Sequence, residues 1–325
     1  MENFEKELAV VINRRVADLY ILPYKRYYRL LVADRGQLEL LKEISKDYGQ
    51  RFIAYLKYRA DMAVSEHRRP QLGAMSWQFG PEKINLRLSS VGDYQGRESL
   101  VVRFIYKLTS DSYHLLFPQQ WQELKDLLHR RGLILFAGPM GSGKTTTMYQ
   151  LARELADKQV VMTIEDPVEI EEPRFVQLQV NTLAGMDYQQ LLRLGLRHRP
   201  NVFIVGEIRD PQTAQMTVQA ALSGHLVLGT VHAKNVYGVI ARLEQLGVAP
   251  YYLDQVLTGI CYQRLLLQLN KSPAVLFDLL GGKKLQDELE TRSGRGMTDE
   301  WQNYLNQAVA EGQIETRVAT AVQDG

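Results

Sequence analysis

The chain has 325 residues, enough for two compact cores, because a single core seldom grows beyond about 250–300 residues. Hydrophobic residues make up 45% and charged residues 23%, the proportions of an ordinary globular protein. A formal net charge of only +2 argues against a field strong enough for nucleic acid or an anionic membrane surface.

The charge is unevenly spread: residues 1–115 hold 19 Lys and Arg against 14 Asp and Glu, a net of +5, and the remainder holds 20 against 23. The first fifteen residues carry acids where a secretory signal has bases. No run approaches the ~20 apolar residues that cross a bilayer. The stretch "VADLYILPYKRYYRLLVADRG", residues 16–36, alternates polar and apolar positions and predicts a β-hairpin. Its Tyr24, Lys25, Arg26, Tyr27, Tyr28 and Arg29 offer a second reading, a nucleic-acid stacking surface. Aromatic and long basic side chains are equally at home on a half-exposed sheet face, which favours the strand.

From Gln37 the spacing turns helical, with Leu38, Leu41 and Ile44 on one face and, after Gly49, Phe52, Ile53 and Leu56 on another. "MSWQF", "INLRLSS" and "SLVVRFIY" within residues 75–106 return to short alternating strands. Residues 1–107 are therefore expected to form an α+β domain, 108–118 a polar linker ending at Pro118, and 119–325 a second domain. In that domain, continuous apolar runs at 133–137, 160–164, 202–205 and 226–231 alternate with helical stretches. Such runs are strands buried on both faces, so the expected fold class is α/β with a largely parallel sheet. Cys261, the single cysteine, excludes an intramolecular disulfide and a cysteine-rich zinc site and fits a reducing cytosol. Its apolar setting, "GICYQRLLLQL", reads as a core thiol. The tail from residue 281 is polar and helical, with Trp301, Tyr304 and Leu305 as a small packed face.

"GPMGSGKT", residues 138–145, has the spacing G-x-x-x-x-G-K-[ST] between a strand and a helix. Gly138, Gly141, Ser142, Gly143, Lys144, Thr145 and Thr146 are the candidate phosphate cradle: glycines let backbone N–H groups close on phosphate oxygens, and the helix N-terminus adds favourable dipole charge. Lys144 is placed to reach the β- and γ-phosphates of a bound nucleotide and Thr145 to bind Mg²⁺. Such a loop needs acids at neighbouring strand ends to hold the metal and position water. Glu207, after the strand in "NVFIVGEIRD", is one candidate; Glu165 and Asp166, ending "VVMTIED", are the other. Parallel sheets bind ligands at the carboxyl ends of their strands, where all three segments converge. Glu169 is expected to help fix the acidic turn, and Glu171 and Glu172 to be solvated. His225 precedes a strand and His232 follows it; His232 is placed to hydrogen-bond phosphate or an acidic neighbour.

These segments together resemble the secretion ATPase superfamily that powers type II secretion, type IV pili and competence pseudopili. "GPMGSGKTTTMY" is similar to its Walker A box, "TIEDPVE" to its Asp box, "VGEIRD" to its Walker B box and "LSGHLVLGTVHAKN" to its His box. "VADLYILPY", "MAVSEHRRPQLG" and "CYQRLLLQL" extend the likeness over nearly the whole chain. It implies a RecA-like P-loop core with a smaller, PAS-like α+β N-terminal domain. It implies ATP and Mg²⁺ on Lys144 and Thr145, Glu165 as general base, Glu207 organising the metal, and His232 near the phosphates. Arg87 and Arg103 match family arginines that close over the nucleotide. The absence of four cysteines after the His box, and of room for an extra N-terminal domain, resembles the short competence branch, the ComGA type. Ala74 departs from the family, which has an arginine there. The implied role is a cytoplasmic homohexamer, peripheral at the inner face of the membrane, that drives a polytopic membrane platform protein to assemble a filament for DNA uptake. Neither zinc nor direct nucleic-acid binding is expected. A pilus retraction ATPase, a general type II secretion ATPase and, from another class, a nucleic-acid translocase are the alternatives.

Overall fold

A computed structural model describes residues 4–34, 37–106, 114–181, 184–270 and 272–325. The chain divides into two units, Met1–Lys107 and Leu108–Gly325.

In the first unit, helix α1 (Phe4–Asn13) precedes β1 (Asp18–Tyr24), β2 (Tyr27–Asp34) and β3 (Gln37–Ser45). Helix α2 (Lys46–Arg59) and strands β4 (Gln71–Phe79), β5 (Glu82–Gly92) and β6 (Glu98–Ile105) follow. The sheet order is β3-β2-β1-β6-β5-β4 and every pairing is antiparallel. The hairpin expected from the alternation is β1–β2, closed where Tyr24 faces Tyr27. One sheet face, with Leu19, Ile21, Leu30, Val32, Leu86 and Val102, is buried under Leu8 and Val11 of α1 and Phe52 and Leu56 of α2, which satisfies the period-two pattern.

The helix expected from Gln37 begins only at Lys46, where Ser45 Oγ accepts a hydrogen bond from Tyr48 N. Residues 37–45 are instead edge strand β3. A register shift opposite Leu30 and Leu31 inserts one residue into β3. That bulge breaks the alternation and leaves Leu38, Leu41 and Ile44 at a three-residue spacing that imitates a helix.

The second unit contains α3 (Gln119–Leu128), β7 (Gly132–Ala137), α4 (Lys144–Ala156), β8 (Val161–Glu165), β9 (Val176–Gln179), α5 (Tyr188–His198) and β10 (Val202–Val205). It continues with α6 (Pro211–Leu222), β11 (Leu226–Thr230), α7 (Val236–Gln245), α8 (Pro250–Val256), β12 (Leu257–Leu267), β13 (Pro273–Gly281), α9 (Gly282–Thr291), α10 (Asp299–Ala310) and α11 (Thr316–Ala321). The seven strands run β13-β12-β7-β11-β10-β8-β9, and all pairs but β12–β13 are parallel. Leu133, Leu135 and Val205 enter one apolar cluster, and Ile134, Phe136 and Ile204 another. Both sheet faces are covered, which explains why these strands read as unbroken apolar runs.

Residues 108–113 of the expected linker lie outside the described residues. From His114 the chain already belongs to the second unit: Val275 N donates to His114 O, Leu116 N donates to Val275 O, and Leu116 and Phe117 are buried. The tail also packs on its own unit. Trp301 and Leu305 are fully buried in the cluster that holds Leu133, and Trp301 Nε1 donates to Val322 O at 3.0 Å. Among the described residues no helix is long and apolar enough to cross a membrane.

Candidate functional site

Central strand β7 is wholly buried and ends at Ala137; six residues intervene before α4 begins at Lys144. The intervening loop depends on glycine at defined points. Gly138 has φ +140°, and a Cβ there would lie 2.3 Å from the Gln263 carbonyl oxygen of β12. Gly143, at φ +86°, is the N-cap of α4, so the backbone enters the helix from the left-handed region that side chains disfavour. Lys144 folds back onto the loop, with Nζ donating to Gly138 O at 2.8 Å and Pro139 O at 2.9 Å. Burial lowers its pKa, against the opposing pull of Glu207 and Glu169.

Ser142 Oγ is buried without a hydrogen-bond partner. A buried hydroxyl with unused hydrogen-bonding capacity, in a glycine loop at a helix N-terminus, fits an anion as its partner. Thr145 and Thr146 stand half-buried in the first turn of α4. Thr147 Oγ1 donates to Gly143 O and closes that turn.

The acids come from the same sheet edge. β10 pairs with β8 so that Val205 faces Ile164, and β11 lies between β10 and β7. Glu165 therefore ends the strand beside the one that leads to Glu207. Glu165 is only 3% exposed. Tyr149 of α4 donates its hydroxyl to Glu165 Oε1 at 2.5 Å, and Gln177 of β9 donates to the same tyrosine oxygen at 2.7 Å. Gly206 admits this carboxylate: a Cβ there would lie 3.1 Å from Glu165 Cγ. Burial and the Glu165 charge raise the Tyr149 pKa, so the phenol remains a donor.

Glu207 is more open. His232 Nε2 lies 3.3 Å from its Oε1, and Arg209 lies 3.9 Å from its Oε2 while donating to Asp166 at 2.8 Å. Asp166, Glu207, Arg209 and His232 thus form one polar group at the strand ends, close enough for Glu207 to act on Lys144, with Glu165 buried beside Gly206. His225 sits at the other end of β11, where Nδ1 contacts Pro200 O at 2.7 Å and the ring meets Phe203 edge-on. It anchors that end of the strand and lies away from the loop.

The acidic turn after Asp166 corrects one expectation. Glu171 is exposed, but Glu172 is 4% exposed and bound by Arg153 of α4 and by Arg174. Burial alone would raise its pKa; the hydrogen bonds from Arg174 and Arg153 overcome this and hold it below the usual carboxylate value. Glu172 ties the turn to α4 and is not a solvated residue.

Arg87 and Arg103 belong to the first unit, directly opposite each other on β5 and β6. Arg103 Nε donates to Asp18 Oδ1 at 2.9 Å, with its side chain 47% exposed. Three site neighbours escaped the sequence reading: Tyr149, Arg209 and Gln263, whose Nε2 donates to Ser142 O. Each lies inside a quoted motif, and Gln263 carried a further signal as an amide within an apolar strand.

The chain matches the family model described as type II/IV secretion system protein over residues 2–314. It is 41% identical over 300 residues to the competence protein ComGA of Streptococcus pneumoniae, covering 91% of this chain and 90% of that one. ComGA of Bacillus subtilis is 33% identical over 341 residues, with 96% and 94% covered. The solved Legionella pneumophila ATPase DotB superposes with a TM-score of 0.79 at 17% identity, over 98% of this chain and 94% of that one. At that identity the likeness is one of fold, and it supports the expected α/β class. With the glycine loop, the acids and the histidine in their expected order along one sheet edge, the chain belongs to the type II/IV secretion system protein family.

Proposed function

We propose that this chain is a Mg²⁺-dependent ATP hydrolase that drives assembly of a competence pseudopilus. The observation that carries the reading is the arrival of Lys144, through the loop after β7, and of Glu165 and Glu207, after β8 and β10, at the carboxyl edge of one parallel sheet. ATP phosphates would enter the loop, release Lys144 Nζ from Gly138 O and Pro139 O, and take up the loop N–H groups and the Ser142 hydroxyl. The hydroxyl of Thr145 and the carboxylate of Glu207 are hard oxygen donors that suit Mg²⁺. Bound there, the ion would neutralise charge on the phosphate oxygens. Glu165 would take the proton of the attacking water at its carboxylate, and His232 would orient Glu207. Arg87 and Arg103, opposite each other on β5 and β6, would be the arginine fingers that the family resemblance implies.

The family's larger setting comes with this reading: a hexameric ring at the cytoplasmic face of the membrane, a polytopic platform protein as the driven partner, and DNA uptake as the filament's purpose. The relatives named as competence proteins favour that branch. Purified protein should hydrolyse ATP only with Mg²⁺, and Glu165→Gln should remove turnover while leaving nucleotide binding. In the native host, Lys144→Ala should abolish surface filaments and transformation together. Filaments that persist without Lys144 would point to retraction or another task instead.

A further inference from the structure

We propose that Tyr149 is a positioning residue for hydrolysis, holding the carboxylate of Glu165 where it takes the proton of the attacking water; this rests on the reading of Glu165 as the base. Three observations carry it. Tyr149 is fully buried, and its hydroxyl donates to Glu165 Oε1 at 2.5 Å. The tyrosine oxygen is itself fixed by Gln177 Nε2 at 2.7 Å, and Gln177 also donates to Ile170 O and accepts from Glu172 N. The ring is fixed too, packing against Phe175 with centroids 5.2 Å apart. A side chain so restrained presents its hydroxyl in one direction, and that direction is the carboxylate.

The placement on α4 gives the bond a further consequence. Lys144 and Thr145 form the first turn of that helix, and Tyr149 lies about one turn further along. One rigid element therefore carries both the phosphate-binding groups and the hydroxyl that orients the base. Gln177 joins this pair to the acidic turn, since its partners Ile170 and Glu172 belong to it. A charge-assisted bond of this kind stabilises the ionised carboxylate and fixes its rotamer.

Tyr149→Phe removes the hydroxyl and keeps the ring. It should lower kcat for ATP about tenfold, the effect of letting a reacting group lose its orientation, with KM for ATP and the thermal midpoint little changed. In a Glu165→Gln background, where the base is absent, Tyr149→Phe should have no further effect on the residual rate. An unchanged kcat in Tyr149→Phe, with Glu165→Gln inactive, overturns the positioning role while leaving the base intact. Equal losses in both backgrounds make Tyr149 merely structural and also overturn it. Normal turnover in Glu165→Gln is a different result: it removes the base assignment itself.

Discussion

Arg209 donates to Asp166 Oδ2 across 2.8 Å, joining the turn that follows β10 to the turn that follows β8. Both residues are about half exposed, at 51% and 41% of their side chains, so the pair contributes at most about 1 kcal/mol to folding. Its value lies in arrangement. Asp166 and Glu207 are two carboxylates at adjacent strand ends, and the guanidinium between them offsets their repulsion while fixing where each points. Arg209→Ala is therefore expected to lower ATP turnover about tenfold with an unfolding free energy within about 1 kcal/mol of wild type. A steady-state assay beside denaturant unfolding checks both; unaltered turnover would mean that the acids keep their positions without it.

The glycines of the loop make a sharper test, because they differ in what surrounds them. A Cβ on Gly138 would strike the Gln263 carbonyl at 2.3 Å, in backbone that cannot retreat, whereas one on Gly141, at φ +76°, would meet nothing within 4 Å. Gly141→Ala should cost only the left-handed strain, about 1 kcal/mol. Gly138→Ala adds a backbone clash and should cost about 3 kcal/mol or more, with loss of nucleotide binding. Equal costs in urea unfolding would contradict the close contact between the loop and β12.

Much of this site was legible in the sequence because its chemistry is local. "GPMGSGKT" and "VGEIRD" place their functional residues within a few positions of a buried strand, and strands buried on both faces announce themselves as apolar runs. What stayed hidden was non-local. Nothing near Glu172 in the sequence says that Arg153, nineteen residues earlier, will meet it. Gln263 reaches the loop across 121 positions. β3 misled for a different reason, since its bulge turns a strand's spacing into a helix's.

Trp301 shows how the tail serves the core. It is fully buried, donates Nε1 to Val322 O, and meets Tyr262 edge-on with ring centroids 6.0 Å apart. Tyr262 precedes Gln263 in β12, so the tail braces the strand on which the loop rests. Trp301→Ala should cost about 3–5 kcal/mol, as large aromatic truncations do, and weaken nucleotide binding through β12. Calorimetric unfolding with a nucleotide titration measures both; a loss below about 1 kcal/mol would mean that the tail is not part of the core.

Asp278 gives the second unit a pH dependence. It lies on β13, 1% exposed, and accepts hydrogen bonds from Thr298 N and Thr298 Oγ1 at the start of α10. Those bonds favour the carboxylate, but burial outweighs them and lifts the pKa from 3.8 to about 6. The folded state thus holds a proton that the unfolded state releases between about pH 4 and 6. Stability contributed by this group is greatest below pH 4, falls as pH rises through that window, and is at its lowest above about 6. The shift corresponds to about 3 kcal/mol. Glu172, whose pKa is lowered, acts in the opposite sense as pH falls, so the informative quantity is the difference between variant and wild type. Asp278→Asn should gain about 1–2 kcal/mol at pH 8, less than the full shift because the amide oxygen accepts more weakly than a carboxylate. That gain should shrink toward zero or reverse by pH 4. Denaturant unfolding across pH 4–8 measures it, and a constant difference would show that Asp278 does not titrate in this range.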